Sequence, residues 1–159
     1  MGNLMSATRR GSSASKSKGP EAVCLSQSDI KALPKEGYND RDHGRVSWKT
    51  LFSSDRTPTS ALTAGIATAP PRREGQPTSF GGHLALHRHA HAEIYFVIKG
   101  EGIVNVEMME HRVQAGSVVF IPGNASHAVR NESLTEELVW HYCFAADSFK
   151  DIKYRFAND

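Results

Sequence analysis

The sequence predicts an all-β domain, built as an antiparallel sandwich or barrel. Short apolar runs recur from residue 80 onward and are separated at short spacing by Gly, Pro and Asn. No amphipathic helix of any length can be drawn between residues 80 and 145. The length of 159 residues, with 39% apolar side chains, is enough for one hydrophobic core. The first two observations favour packed antiparallel strands over alternating helices and strands.

The N-terminal part divides into a tail and an extension. Residues 1–20 are rich in Ser and Gly and nearly devoid of apolar side chains, so they are predicted to be a disordered basic tail. Two targeting hypotheses stay open for this tail: a transit peptide, or myristoylation at Gly2 with Ser6 following. Residues 21–45 are predicted to form an N-terminal extension. It contains a capped helical turn over residues 28–33, which Pro34 ends.

A single domain is predicted over residues 46–156. Residues 46–52 alternate and 61–68 follow as a second strand, and the proline-rich stretch 69–79 is predicted to be a long loop. The later apolar runs predict strands at 83–87, 94–98, 103–106, 118–121, around Val129, and at 138–144. Residues 148–156 alternate apolar and charged side chains, which predicts a final strand or a turn of helix.

Charge and hydropathy exclude two classes of protein. The 19 basic and 17 acidic residues give a net charge of +2, and the first twenty residues hold four basic side chains and no acid. The remaining body is therefore slightly negative, which argues against nucleic-acid binding. No apolar run approaches 18 residues, so no transmembrane segment is expected. The absence of a secretory apolar region makes the cytoplasm the expected location.

Four metal-capable side chains have a spacing that predicts a shared site. His87 and His89 are two residues apart, so their side chains lie on the same face of a strand. Glu93 begins the next apolar run and is an even number of residues away from both histidines, so its side chain is expected on the same face. His127 follows a turn predicted at residues 122–124. Three imidazoles and one carboxylate suit one divalent ion. Fe²⁺ is favoured, and Mn²⁺, Ni²⁺, Cu²⁺ and Zn²⁺ are alternatives. Four ligands leave two positions of an octahedral ion open for a substrate.

The same residues resemble the two motifs of the cupin superfamily. The first motif is matched by Gly81, His87, His89, Glu93 and Gly100. The second motif is matched by Gly116, Pro122, His127 and Asn131. Asn124 stands where the family usually has Gly, and Asn tolerates the left-handed backbone that the turn needs. The resemblance implies a jelly-roll barrel with the metal inside, and often a dimer.

The strand at residues 94–98 is apolar on both faces. One face is expected to fill the barrel, so the other needs a second sheet or a second subunit to cover it. This pattern favours a homodimer.

Tyr95 has the parity of Glu93, so its hydroxyl is expected to point into the barrel. A nearby cation would lower the pKa of this hydroxyl and make Tyr95 a candidate catalytic base; the alternative is that Tyr95 only packs in the core.

His91 is predicted to be a turn residue that faces water. In the strand at 138–144, either Trp140 and Tyr142 or the alternate residues 141 and 143 line the barrel, and the sequence leaves that choice open.

Three functions are consistent with these observations. The first is a metal-dependent oxidoreductase, dioxygenase-like, acting on a small organic substrate that chelates the metal. Residues 86–102, 118–131 and 144–156 resemble stand-alone cupin oxidoreductases of fungal polyketide clusters, which implies an aromatic or polyketide-derived substrate in secondary metabolism. The second is a lyase, because small cupins that cleave dimethylsulfoniopropionate share the Glu-x-Tyr pattern of residues 93–95, with the Tyr as base. The third is a non-catalytic module that binds or senses a small ligand.

Overall fold

Eleven β-strands are found in residues 19–72 and 81–157, which are the residues that the computed structural model describes. In chain order they are β1 Glu36–Gly37, β2 Ser47–Phe52, β3 Thr63–Ala69, β4 His83–Arg88, β5 Glu93–Lys99, β6 Glu101–Val106, β7 Met109–Gln114, β8 Val118–Ile121, β9 His127–Arg130, β10 Leu138–Phe144 and β11 Arg155–Phe156. One short helix, α1 Gln27–Ala32, and one 3₁₀ turn, Phe149–Asp151, complete the regular elements of these residues.

The strands form two antiparallel sheets that enclose the core. The order in the six-stranded sheet is β1-β2-β3-β10-β5-β8, and the order in the five-stranded sheet is β11-β4-β9-β6-β7. Consecutive strands such as β4 and β5 lie in different sheets, so the chain crosses between the sheets as a jelly roll does. The all-β jelly-roll prediction is confirmed.

Helix α1 begins at a capping box. Ser26 Oγ accepts a hydrogen bond from the Asp29 backbone N–H, and the Asp29 carboxylate accepts one from the Ser26 backbone N–H. The helix therefore starts earlier than the predicted turn at residues 28–33. The Lys49 ammonium of β2 donates to the backbone carbonyls of Ile30 and Lys31 at 2.9 Å and 2.8 Å, which ties the end of α1 to the barrel.

Strand β7 is missing from the strands that the apolar runs predict because its side chains are mostly polar. Within Met109–Gln114 only Val113 is buried, as expected for the edge strand of a sheet. The turn before it consists of Glu107 and Met108, which have φ values of 49° and 69°. Two central residues at positive φ form the type I′ turn that matches hairpin twist, here without the glycine that such turns favour.

The interior face of β10 is the choice that the sequence left open. Trp140 and Tyr142 are buried in the core, whereas His141 and Cys143 are half-buried on the outer face. On the neighbouring β5, Tyr95 is buried by the same alternation. The barrel is thus lined by large aromatic side chains on two adjacent strands.

Several predictions concern residues outside the described ranges. The predicted disordered tail at residues 1–20 lies outside them except for Gly19 and Pro20, and so does most of the loop predicted at 69–79. The division at residue 46 stays a prediction, although β1 from the predicted extension pairs with β2. Neither helix in the described part of the chain has the length and hydropathy to cross a membrane.

Candidate metal centre

The four predicted metal-capable side chains come together inside the barrel. His87 lies near the end of β4 and pairs across the sheet with His127, the first residue of β9. His89 follows β4 directly, and Glu93 is the first residue of β5. All four are at most 2% exposed. The period-2 alternation of the strands aims these side chains at one interior point, as their sequence parity predicts.

The backbone fixes the orientation of the three imidazoles. Each Nδ1 lies within hydrogen-bond distance of a carbonyl oxygen: His87 to Ala85 at 2.7 Å, His89 to His91 at 2.8 Å, and His127 to Ala125 at 2.9 Å. A carbonyl oxygen only accepts, so each Nδ1 carries the proton and donates. In the neutral imidazole each Nε2 then keeps its lone pair, which is the form that binds a metal.

The lone pairs of this cluster face one another. One ring nitrogen from each of the three histidines lies within 4.8 Å of the other two. Glu93 Oε2 lies 3.3 Å from His89 Nε2 and 3.4 Å from His127 Nε2. Within residues 19–72 and 81–157, no hydrogen-bond donor reaches these three Nε2 atoms or Glu93 Oε2. Buried acceptors without donors are costly, and a cation would satisfy all four at once.

The three buried histidines could therefore hold a metal ion, as the sequence predicts. Burial and the neighbouring His127 lower the pKa of His87 well below its ordinary value, which keeps that imidazole neutral. The identity of the ion, and Glu93 as its fourth ligand, stay predictions. The set of nitrogen and oxygen donors is of the kind that Fe²⁺, Mn²⁺ and Zn²⁺ accept.

A small aromatic chamber, with a free volume of about 20 Å³, adjoins this cluster. Glu93 lines it together with three aromatic residues of the central strands, Tyr95, Trp140 and Tyr142. Four further aromatic residues line it from other segments of the chain: Tyr38, Trp48, Phe149 and Tyr154. No Lys or Arg is found among its described lining residues. The indole Nε1 of Trp48 is buried and has no hydrogen-bond partner in the described part of the chain, so an acceptor on a ligand could bind there.

Tyr95 points into the barrel, as its parity predicts. It is 2% exposed, and its ring lies edge-on to His127 with the ring centroids 6.3 Å apart. Burial and the charge of Glu93 raise the pKa of Tyr95 well above its ordinary value. The catalytic role of Tyr95 stays a prediction.

His91 lies in the turn between β4 and β5, as predicted, but its ring is half-buried rather than facing water. Its contribution to the site is its backbone carbonyl, which accepts a hydrogen bond from His89 Nδ1.

Sequence reasoning missed Tyr38, Trp48, Phe149 and Tyr154. The alternation at residues 148–156 indicated that Tyr154 lies in a regular segment, but nothing in the sequence placed it against His87, on which it stacks at 4.8 Å.

Comparison with known proteins agrees with the architecture. A sequence model of the cupin domain matches residues 79–144. The dimethylsulfoniopropionate lyase DddW of Ruegeria pomeroyi is 34% identical over 128 residues, which cover 80% of this chain and 77% of that protein. Rru_A2000 of Rhodospirillum rubrum, a cupin-2 domain, has a TM-score of 0.62 at 21% identity and covers 87% of this chain and 82% of its own. The polyketide cyclase RemF from Streptomyces resistomycificus has a TM-score of 0.64 at 11% identity, with coverage of 84% and 86%. The two structural likenesses concern the fold alone.

Proposed function

The chain belongs to the cupin family, and from that premise we propose that it is a metal-dependent lyase acting on a small sulfonium carboxylate of the dimethylsulfoniopropionate type. One observation carries the proposal: Glu93, which lies against two of the three buried histidines, also lines the aromatic chamber together with Tyr95. The relationship to a dimethylsulfoniopropionate lyase at 34% identity supports the choice of substrate class.

The proposed ligands are His87, His89, His127 and Glu93. A divalent ion bound there would polarise the substrate carboxylate and, through its charge, lower the pKa of the Tyr95 hydroxyl. The chamber has no Lys or Arg among its described lining residues, so none of those side chains offers the carboxylate a counter-charge. The unpartnered indole N–H of Trp48 could donate to one carboxylate oxygen.

The proposed reaction is a β-elimination in which Tyr95 is the base. In the metal-loaded protein the Tyr95 hydroxyl would first lose its proton to bulk solvent. The resulting phenolate would then remove a proton from the carbon next to the carboxylate, and the electron pair of that C–H bond would form the C=C bond. The C–S bond then breaks, and the sulfide leaves with its electron pair as a neutral molecule. Dimethylsulfoniopropionate would give acrylate and dimethyl sulfide, and the proton would remain on Tyr95.

The test is product formation with a conservative variant. Protein loaded separately with Fe²⁺, Mn²⁺, Ni²⁺ and Zn²⁺ is incubated with dimethylsulfoniopropionate, and dimethyl sulfide is measured by gas chromatography. We expect Tyr95→Phe to reduce turnover at least roughly hundredfold, the lower range for general-base catalysis, with unchanged metal content. Absence of dimethyl sulfide with every metal would refute the proposal, and undiminished turnover in the variant would refute Tyr95 as the base.

The oxidoreductase hypothesis is the second candidate. Four protein ligands leave two positions on an octahedral ion, enough for a chelating substrate or for substrate and dioxygen. The aromatic or polyketide-derived substrate and the secondary-metabolic role stay part of this alternative. Substrate-dependent oxygen consumption, measured with an oxygen electrode, would favour it. Ligand binding without turnover would favour the third hypothesis, a non-catalytic module that binds a small ligand.

The expected cytoplasmic location also stays a proposal.

We also propose that the protein is a homodimer, on the basis of one exposed apolar surface. The outer face of β5 and β8 carries five apolar side chains that are each 44–63% exposed: Ile94, Phe96, Ile98, Val118 and Phe120. A second copy is a suitable partner because a two-fold axis would bring this uncharged patch against itself. The five side chains would supply a large part of the roughly 800 Å² per partner that a standard interface buries.

Light scattering coupled to size-exclusion chromatography tests the dimer. Phe96→Glu is expected to convert a dimer into a monomer, because a buried unpaired charge is costly at the interface. Met108→Glu is the matched control, since Met108 is 81% exposed at the β6–β7 turn, away from the patch. A wild-type protein that is monomeric throughout would refute this part of the proposal.

A further inference from the structure

An open cavity lies on the outer face of the five-stranded sheet, whose inner face carries His87 and His127. Its free volume of about 270 Å³ is more than ten times that of the aromatic chamber. Strand alternation separates it from the candidate metal centre, because His127 is buried in the barrel and Ala128, the next residue of β9, faces the other way. We define it as the outer cavity, and its lining includes three polar and three apolar residues: His83, Asn105, Arg130, Ala85, Ile103 and Ala128.

Two alanines form the floor of the outer cavity. Ala128 lies opposite Asn105 in the pairing of β9 with β6. Ala85 lies where the register between β4 and β9 shifts, and such an irregularity bends a strand locally. A methyl group rises less from a sheet than the longer side chains around it, so the floor is flat and apolar. A planar ring can lie against such a floor.

The permanent charge at the outer cavity is already compensated. Arg130 Nε donates to Glu132 at 3.0 Å, and Arg130 Nη1 donates to Glu110 at 2.7 Å. In the strand pairing, Arg130 lies opposite Ile103 and Glu110 lies opposite Asn105, so the Arg130–Glu110 ion pair crosses β6. Because Arg130 has two carboxylate partners, the outer cavity suits a neutral ligand better than an anion.

Two hydrogen-bond acceptors at the outer cavity are available to a ligand. Asn105 Oδ1 is buried and has no hydrogen-bond partner in the described part of the chain. His83 Nδ1 lies 2.9 Å from the carbonyl oxygen of Gly81 and donates to it, so in the neutral imidazole Nε2 is an acceptor. A buried acceptor without a donor costs free energy, and a ligand that brings an N–H group to Asn105 would remove that cost.

We infer that the outer cavity is a second ligand site, which binds a neutral planar ring that carries a carboxamide. The carboxamide N–H would donate to Asn105 Oδ1, and the carboxamide oxygen would accept from the Asn105 side-chain nitrogen. The ring would lie on the floor formed by Ala85 and Ala128. The inference goes beyond the proposed function and is independent of it, because the lining includes none of the proposed metal ligands.

The experiment compares two ligands of the same shape that differ in one group. Benzamide carries an NH₂ group where acetophenone carries a methyl group, so only benzamide donates a hydrogen bond. Both are titrated into the ¹⁵N-labelled full chain with Zn²⁺, which is diamagnetic, and followed by heteronuclear NMR. We expect benzamide to bind roughly tenfold more tightly, in keeping with one hydrogen bond to a buried acceptor. The largest shifts are expected at Asn105, Ala128 and Arg130.

Two results would overturn the inference at this stage. One is equal affinity for benzamide and acetophenone, because the buried acceptor would then have no effect on binding. The other is a set of shifts centred away from the outer cavity.

Variants test the two parts of the outer cavity separately. Asn105→Leu, which keeps the size of the side chain and removes its amide, should weaken benzamide binding roughly tenfold and leave acetophenone binding unchanged. Ala128→Leu should weaken the binding of both ligands, because the larger side chain fills the floor. Gln114→Leu is the matched control, since it removes an exposed amide on β7. Unchanged benzamide binding in both cavity variants, with spectra that show a folded protein, would also overturn the inference.

Discussion

Binding of a divalent metal ion should raise the thermal unfolding temperature of this protein, and replacing His127 by Ala should remove most of that rise. The folded chain brings three imidazole Nε2 atoms and the Glu93 carboxylate together without a hydrogen-bond partner among the described residues. The unfolded chain does not hold these groups in place, because no strand geometry fixes their side chains and His127 lies 34 residues after Glu93. Metal binding is therefore coupled to folding, and the free energy of binding adds to the free energy of unfolding.

The size of the rise follows from linkage. A metal concentration of about 100 times Kd adds about 2.7 kcal/mol to the free energy of unfolding. For a chain of this size each kcal/mol corresponds to about 2–4 °C, so the expected rise in Tm is roughly 5–11 °C. If the loss of His127 weakens binding about a hundredfold, the same metal concentration adds only about 0.4 kcal/mol, or roughly 1 °C.

Differential scanning fluorimetry with and without each metal measures the rise. The comparison uses the metal-induced change in Tm, because His127→Ala also creates a cavity that lowers the Tm of the metal-free protein. His111→Ala is the matched control, since His111 is exposed on β7. A rise in His127→Ala as large as in the wild type would refute the reasoning. So would the absence of a rise in the wild type with Fe²⁺, Mn²⁺, Ni²⁺, Cu²⁺ and Zn²⁺.

Three further predictions concern stability. Gly65→Ala should lower the free energy of unfolding by about 1–3 kcal/mol in urea titrations, because its Cβ would lie 2.3 Å from the Tyr142 hydroxyl oxygen. Met108→Gly should raise it by about 0.5–1 kcal/mol, since Met108 has a φ of 69° and is 81% exposed; an unchanged urea midpoint would contradict this. Burial alone would raise the pKa of Glu36, but hydrogen bonds from Arg56 and a threonine hold it below its usual value. Glu36→Gln should therefore cost at most about 1 kcal/mol at pH 7, and the difference should vanish as the pH falls through that lowered pKa; a difference that grows on acidification would contradict this.

The strands with apolar alternation could be predicted from the sequence, whereas β7 could not. Strand β10 is found at Leu138–Phe144, as predicted, because burial on one face forces the period-2 pattern. Strand β7 has a single buried side chain, Val113, and its pairing with β6 comes from the intervening turn instead of from hydrophobic contact. Edge strands carry little hydropathy signal, so the structure was needed to find this one.

The candidate metal centre and the chamber differ in how far the sequence specifies them. His87, His89 and Glu93 lie within seven residues, so strand parity alone predicts that their side chains share a face. Tyr38 and Tyr154 are separated by more than a hundred residues, and their contact depends on how both ends of the chain pack against the barrel. No local periodicity encodes such a contact.

By itself the sequence determined the all-β class, the alternation of the central strands and the residues that could bind a metal. These properties are local, because the backbone geometry of a strand relates neighbouring residues whatever the rest of the chain does. Only the tertiary structure decided which face of β10 lines the barrel, which imidazole nitrogens are free, and which aromatic residues surround the chamber. Those properties arise from contacts between distant segments, and such contacts depend on the packing of the two sheets as a whole.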